Sequence, residues 1–478
     1  MNKSSLVDAM RQNDVLTANG AITHSTSLNN CVDLFFIAGA SRRMSEKHIL
    51  IMFEKAYAED KLTALIILFW GRDIRGGAGE RRFFRVIWNH LVKTNNDIFI
   101  SMLLPLIVEY GRWDDIWKIE SFRSGMSNYL CLELNKVILD DKDSLLCKWM
   151  PRKGLLFEMV RKRMRFTPKE LRKVLVSGSS TIEQQMCSND WSYIPYSFVP
   201  SVAFSRYRKA FNRHDETRFQ SFLNDVKDGK EKINAGAIFP HDITKNLSCW
   251  DDDNDNDLSG IDEQWANLPN YMEGCNSKIL PVCDVSGSMT GLPLDVCIAL
   301  GLYISERNEG IFKNAFITFS ESPEMNYIKG DNISQRYSQL YNANWGMNTD
   351  LVKTFKVLLH KAVTNNIKSD EMPSTLLIMS DMEFDRCASI DTTNYEYIKV
   401  MYEEQGYKIP KIVFWNLNGR IGNVPVDCNV PNTALVSGFS PAILKTILKN
   451  EEVICTPLTL MMDALNSERY NLIRSTLS

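Results

Sequence analysis

Lys278-Ile-Leu-Pro-Val-Cys-Asp-Val-Ser-Gly-Ser-Met289 decides how the chain is read. Ile279 to Cys283 is a short apolar run with the character of a buried central strand. It stops at Asp284, and Ser286, Gly287 and Ser288 follow at once. One carboxylate and two hydroxyls therefore share a tight turn at the C-terminal end of a strand, the edge of an open α/β sheet where ligands bind. Their oxygens are hard donors, suited to Mg²⁺ or Mn²⁺ and poor for copper or structural zinc.

Asp-x-Ser-x-Ser after an apolar strand resembles the metal-ion-dependent adhesion site of von Willebrand factor A domains. The two further loops of that family have counterparts here. Trp345-Gly-Met-Asn-Thr-Asp350 matches the second, and Leu376-Leu-Ile-Met-Ser-Asp-Met-Glu383 matches the third, a strand ending in Asp381. The resemblance implies that Ser286 and Ser288 bind Mg²⁺ (or Mn²⁺) directly. Asp284 and Asp381 would act mainly through waters, and Thr349 would bind directly in one conformation. It also implies a protein partner whose acidic side chain completes the coordination. The plainer alternative is a hydroxyl-rich turn with no ion.

Working outward, 478 residues with 44% hydrophobic content suffice for two or three packed domains. No run of eighteen apolar residues and no signal-type N-terminal stretch occurs, so an intracellular, cytoplasmic protein without a membrane span is expected. Eleven cysteines, without a Cys-x-x-Cys pair, read as reduced core thiols. The net charge of -3 hides an asymmetry. Residues 1–250 carry 37 Lys+Arg against 28 Asp+Glu, and the rest carry 18 against 30. A basic half suggests an anionic partner; a solvated helical surface is the bland alternative.

Residues 1–28 are polar and read as a flexible arm. From 29 to 245 the pattern is helical, with apolar faces at Val32–Ile37, Ile49–Ala56, Leu62–Trp70, about Arg81–Val92 and Ile98–Tyr110. A sixth helix is expected to start at Trp113-Asp-Asp-Ile-Trp117, with Asp114 as its cap. Successive helices with short connections predict a degenerate, HEAT-like repeat forming a ring or arc. Gly71-Arg-Asp-Ile-Arg-Gly-Gly-Ala-Gly-Glu-Arg-Arg82 sets four glycines among four arginines. It reads either as a phosphate cradle or, with Asp73 and Glu80 pairing the arginines, as an interhelical turn. A basic block follows: Lys148-Trp-Met-Pro-Arg-Lys153, then Arg161-Lys-Arg-Met-Arg165. The aromatic stretch Trp191–Phe198 comes next, and Tyr207–His214 interleaves aromatics with cations. Such mixtures bind phosphates and stack on unpaired bases, or else form a helical face with the rings in the core. His241 reads as a hydrogen-bonded structural residue in a loop.

Arg-Asp-Ile-Arg-Gly-Gly-x-Gly-Glu-Arg, Tyr-Gly-Arg-Trp-Asp-Asp, Lys-Trp-Met-Pro-Arg, Phe-x-Arg-His-Asp and Phe-Pro-His-Asp all precede the strand of residues 279–283. Together they resemble an uncharacterised domain-of-unknown-function family of plants and large DNA viruses. That family is more distantly similar to the Ro ribonucleoprotein autoantigen, in which a TROVE ring of helical repeats binds RNA and a von Willebrand A domain closes the ring. The resemblance implies binding of small structured or single-stranded RNA. Arg72, Arg75, Arg152, Lys153, Arg161, Lys162, Arg163, Arg165, Arg208 and Lys209 are the candidate contacts.

The run Asp251-Asp-Asp-Asn-Asp-Asn-Asp257 makes residues 246–270 an acidic linker. Residues 271–478 then alternate strands and helices, predicting a Rossmann-like von Willebrand A domain with a mostly parallel sheet and a last helix over about Leu458–Ile473. The expectation is an RNA-binding scaffold with a metal-dependent adhesion site. The alternatives are an adaptor that binds no RNA and a metal-dependent hydrolase drawing on Glu383 and Asp385. No acid–base pair or nucleophile signature supports the last, so no enzymatic activity is expected.

Overall fold

The computed structural model describes residues 14–120, 122–140, 143–245, 247, 258–274, 277–318, 323–343, 349–386, 392–448 and 455–477. The first half is an arc of packed helices whose starts follow from capping chemistry. Asn29 accepts from the Val32 amide, Ser45 from His48, Asp60 from Thr63 and Asn96 from Phe99. Each satisfies an amide that the first turn leaves unpaired. They open the helices Asn30–Ala38, Glu46–Glu59, Lys61–Arg72 and Asp97–Tyr110. Thr167 and Glu170 form a reciprocal capping box that starts Pro168–Ser177.

The helix expected from Trp113 is a single 3₁₀ turn, Trp113–Asp115, and the next helix runs Ser124–Asp140. Asp114 is not its cap. It is buried and paired with Arg112 at 3.0 Å and Lys118 at 2.8 Å. Asp115, also buried, takes Arg72 at 2.8 Å and Arg85 at 2.6 Å. Arginines of neighbouring helices hold both carboxylates inward, and Asp115 rather than Asp114 caps the turn, accepting from the Arg112 amide at 3.0 Å.

Two short strands, β1 (Asp14–Leu16) and β2 (Ile22–His24), form an N-terminal hairpin, and the second half is a six-stranded sheet of β3 (Ile279–Cys283), β4 (Ala315–Thr318), β5 (Met325–Tyr327), β6 (Thr375–Ser380), β7 (Lys411–Asn416) and β8 (Thr433–Ser437). The order is β5-β4-β3-β6-β7-β8, parallel throughout except for β5 against β4. Every residue of β3, β4, β6 and β8 is buried, as a sheet covered on both faces requires. The chain leaves β3 towards one edge and fills the other from β6. The crevice beyond the C-terminal ends of β3 and β6 is therefore the switch point at which such sheets bind ligands.

The halves share one apolar core. Helix Asn30–Ala38 packs on β8, where the Gly39 amide donates to Ser437 Oγ at 2.9 Å and that hydroxyl donates to the Phe35 carbonyl at 3.2 Å. A Cβ on Gly39 would lie 2.4 Å from Gly438 Cα, so only glycine permits this approach. The C-terminal segment reaches back to the helical half. Arg469 pairs with Asp73, and Tyr110 Oη donates to the Arg469 carbonyl at 2.7 Å.

Three expectations are corrected. The flexible arm is structured from Asp14 onward, with residues 1–13 outside the described set. Here β1 (Asp14–Leu16) pairs antiparallel with β2 (Ile22–His24), and Ala21 and Thr23 are buried. The acidic run 251–257 also lies outside the described residues, but the linker range ends in a helix, Ile261–Ala266, with Ile261 and Trp265 buried. The last helix is broken into Pro457–Leu465, a 3₁₀ turn at Glu468–Tyr470 and Asn471–Leu477. In addition, His241 lies on a short helix, packed on Phe239 and edge-on to Phe439. Its Nδ1 has no hydrogen-bond partner among the described residues, and burial pushes the ring down to about 4, so it packs as a neutral aromatic.

Candidate functional site

Asp284 sits one residue beyond β3 and is fully buried. Its Oδ1 accepts from the Ser286 amide at 2.9 Å, and its Oδ2 accepts from Ser380 Oγ at 2.5 Å. The turn is thus pinned by its own backbone and by the end of β6. Ser286 Oγ lies 3.1 Å from Ser288 Oγ. Ser286 is buried and Ser288 exposed, so the pair opens towards solvent. Asp381, one residue beyond β6, is buried, and its Oδ1 accepts from the Glu383 amide at 3.2 Å. Residues 344–348 of the second loop lie outside the described set. Thr349 is buried, and its carbonyl accepts from the Asp385 amide at 3.0 Å, which ties the second loop to the third. Asp350 caps the helix Leu351–Thr364.

Burial, and then the neighbouring Asp381 charge, push the Asp284 carboxyl up to about 6. Two carboxylates facing one crevice call for a positive charge. The sequence reading missed the one that is present: Arg420 Nη2 donates to Asp381 Oδ2 at 3.0 Å, and its Nε lies 3.3 Å from Glu383 Oε1. The available signal was weak, a lone arginine in the Gly-rich loop after β7 at the same rim. The N-terminal hairpin was missed too. Its tip lies on the third loop, with the Ala18 amide donating to Glu383 Oε2 at 2.5 Å, Asn19 Nδ2 to the Glu383 carbonyl at 2.7 Å and Thr17 Oγ1 to the Phe384 carbonyl at 2.8 Å. Asn423 Nδ2 gives Glu383 Oε1 a further bond at 3.1 Å. Glu383 is thereby spent on structural donors.

The donor set fits a small hard cation. Adjacent ligands of an octahedral Mg²⁺ are about 3.0 Å apart, close to the Ser286–Ser288 separation. Among the described residues no group of three or more His, Cys, Asp or Glu side chains could hold a metal. Any centre here relies on hydroxyls backed by Asp284 and Asp381.

The candidate RNA contacts separate into two groups. Arg72 is buried against Asp115, and Arg208 is buried with Nη1 donating to the Ser259 carbonyl at 3.2 Å. Arg152 Nη1 donates to the carbonyls of Cys147 and Met150, at 2.8 and 2.7 Å. Arg161 is half-buried and paired with Glu158 at 2.7 Å. Arg161 is held within its own helix and the turn after it, whereas Arg72, Arg152 and Arg208 are corrected from surface contacts to structural ties. Lys209 is half-buried, whereas Arg75, Lys153, Lys162, Arg163 and Arg165 are exposed. The Gly-rich loop behaves as an interhelical turn, with Asp73 on Arg469 and Glu80 on Arg42. The aromatics divide likewise: Tyr196 and Phe211 are core, Trp191 stacks on His214 at 4.3 Å, and Tyr193 and Phe198 are exposed.

Residues 17–115 and 131–275 match the family model of a domain of unknown function, DUF2828, and residues 278–468 match a second, DUF7788. An uncharacterized protein of Acanthamoeba polyphaga mimivirus is 30% identical over 505 residues, covering 94% of this chain and 86% of that protein. Among solved structures, the Ro (RSR) protein of Deinococcus radiodurans overlaps 92% of this chain and 99% of its own at 12% identity, with a TM-score of 0.34.

Proposed function

The chain belongs to the DUF2828 family, and we propose that within it this protein is a scaffold that docks a protein partner through a divalent cation. Asp284, Ser286, Ser288, Thr349 and Asp381 would hold Mg²⁺ or Mn²⁺, and an acidic side chain of the partner would complete its coordination. The observation that carries this reading is the placement of Asp284 and Asp381 across the switch point, with two hydroxyls 3.1 Å apart opening to solvent. The cation would supply a Lewis-acidic point to which an anionic ligand binds. The chain's own residues fix its place and leave one face open. Docking is favoured over hydrolysis because two-metal chemistry needs further carboxylates, and Glu383 is taken up by Ala18, Asn423 and Arg420. Titrating Mn²⁺ into the protein by calorimetry tests the site. One equivalent should bind to wild type, with strong weakening in Ser286→Ala. Equal binding by both proteins would remove the site from this rim.

A second reading, RNA binding, is supported by one surface. Lys153, Lys162, Arg163, Arg165, Lys169, Arg172 and Lys173 are all exposed on Leu155–Arg163, Pro168–Ser177 and the turns beside them. Between residues 153 and 173 the only acids are Glu158, held by Arg161, and Glu170, held at the Thr167 cap. A face on which cations outnumber the acids of its own segment attracts phosphates, and binding through them weakens with salt as counterions are released. Changing Lys162, Arg163, Arg165 and Lys169 together to Gln should lower the salt slope for single-stranded RNA by about 3 in gel shifts. An unchanged slope would assign the binding elsewhere, and no shift by wild type at low salt would dismiss RNA.

A further inference from the structure

We propose that Arg420 is a resident counter-ion of the metal centre, competing with the divalent cation for Asp381 and holding the rim together in its absence. This rests on the cation-site reading above and adds a residue and a mode of regulation to it.

Arg420 stands in the loop between β7 and β8, away in sequence from all three metal loops. Its guanidinium nevertheless reaches Asp381 at 3.0 Å and Glu383 at 3.3 Å through one edge, the Nε and Nη2 side. Both carboxylates are nearly sealed from water, while the Arg420 side chain is 41% exposed. It therefore lies over them from the solvent side, the side from which a metal ion would arrive. Without Arg420, the carboxylates of Asp284, Asp381 and Glu383 would cluster at one rim with no cation described beside them. With it, Asp381 has one oxygen on the guanidinium and the other on the Glu383 amide. A dication needing Asp381 must share that carboxylate with a positive charge, and the two cations repel.

The same loop is fastened on both sides. Asn423 Nδ2 donates to the Met382 carbonyl at 2.9 Å and to Glu383, while its Oδ1 accepts from Thr23 Oγ1 at 3.1 Å. His24 and Val424 exchange backbone bonds at 3.0 and 2.9 Å. Movement of Arg420 off Asp381 thus bears on a loop whose far side is strand β2. Cation binding and the N-terminal hairpin are linked through it.

Calorimetric Mn²⁺ titrations of wild type, Arg420→Gln and Arg420→Lys test the exchange, with thermal melting of each protein in EDTA and at saturating Mn²⁺. Removing one positive charge beside a dication should tighten Mn²⁺ binding by at least about tenfold in Arg420→Gln, and Arg420→Lys should stay near wild type. Cation-free Arg420→Gln should melt below wild type, with the gap closing at saturating Mn²⁺. Equal or weaker Mn²⁺ binding by Arg420→Gln, with wild type binding normally, overturns the proposal and leaves the metal site standing. Binding seen only in Arg420→Gln supports it outright. Silence from all three proteins removes the metal site, and the exchange with it.

Discussion

Asp115→Ala is expected to destabilise the protein by about 3–5 kcal/mol, the range for breaking a buried ion pair from one side. Asp115 is fully buried. Its Oδ2 accepts from Arg72 Nε at 2.8 Å and from the Arg112 amide at 3.0 Å, and its Oδ1 accepts from Arg85 Nε at 2.7 Å. The chief loss is on the other side of the pair. Arg72 is itself buried, and burial already pulls its guanidinium below the usual arginine range, against the support of Asp115. Deleting the carboxylate strands that charge in a dry interior. Denaturant unfolding measures the effect, with Asp97→Ala as control, because its pair with Arg123 is largely exposed and should hardly matter. The double variant Asp115→Ala with Arg72→Met should recover much of the loss. A single variant as mild as Asp97→Ala would show that the pair does not hold these helices.

Asp284→Asn should have the second large effect, visible as a change in pH dependence. In the cation-free protein the carboxyl is pushed from 3.8 up to about 6, first by burial and then by Asp381. The folded state therefore keeps this proton where the unfolded chain has released it, so stability falls as pH rises between about 4 and 6. By linkage the penalty above pH 6 is about 3 kcal/mol. Asp284→Asn removes it, so the variant should gain on wild type as pH rises through this window, measured in EDTA. With Mg²⁺ the order should reverse: on the proposed cation site, the ionised wild type would be stabilised by the cation, increasingly above about pH 6, and the variant would not. Parallel pH profiles for the two proteins in EDTA, or an Mg²⁺ response retained by the Asp284→Asn variant, would contradict the assignment of this carboxyl to the centre.

The C-terminal architecture was legible because its evidence is local. An apolar run such as Ile279–Cys283 ends abruptly at a carboxylate, and periodicity reports both facts. The onset of helical periodicity at residue 29 was equally local. What escaped depends on partners far away in sequence. Arg420 becomes part of the rim only because β7 lies beside β6. Arg72, Arg152 and Arg208 read as surface cations until the fold turns them inward onto Asp115 or backbone carbonyls. The hairpin did carry a signal, the Asn19-Gly20 dipeptide between Val15-Leu16 and Ile22, with Gly20 at φ 83° as such a turn needs. The arm was read from polar composition alone, which is blind to turn chemistry.

The hairpin has a consequence for biosynthesis. Thr17 is synthesised 367 residues before Phe384, so the hairpin emerges long before the surfaces that receive it, at Glu383–Phe384 and Val424. The helical arc can condense while the chain is still growing, as early segments do. The rim at Asp381 is closed on that side only when a strand made 367 residues earlier finds its place. A nascent chain stalled before Val424 would carry β2 with an unsatisfied edge, a template for pairing with the wrong neighbour.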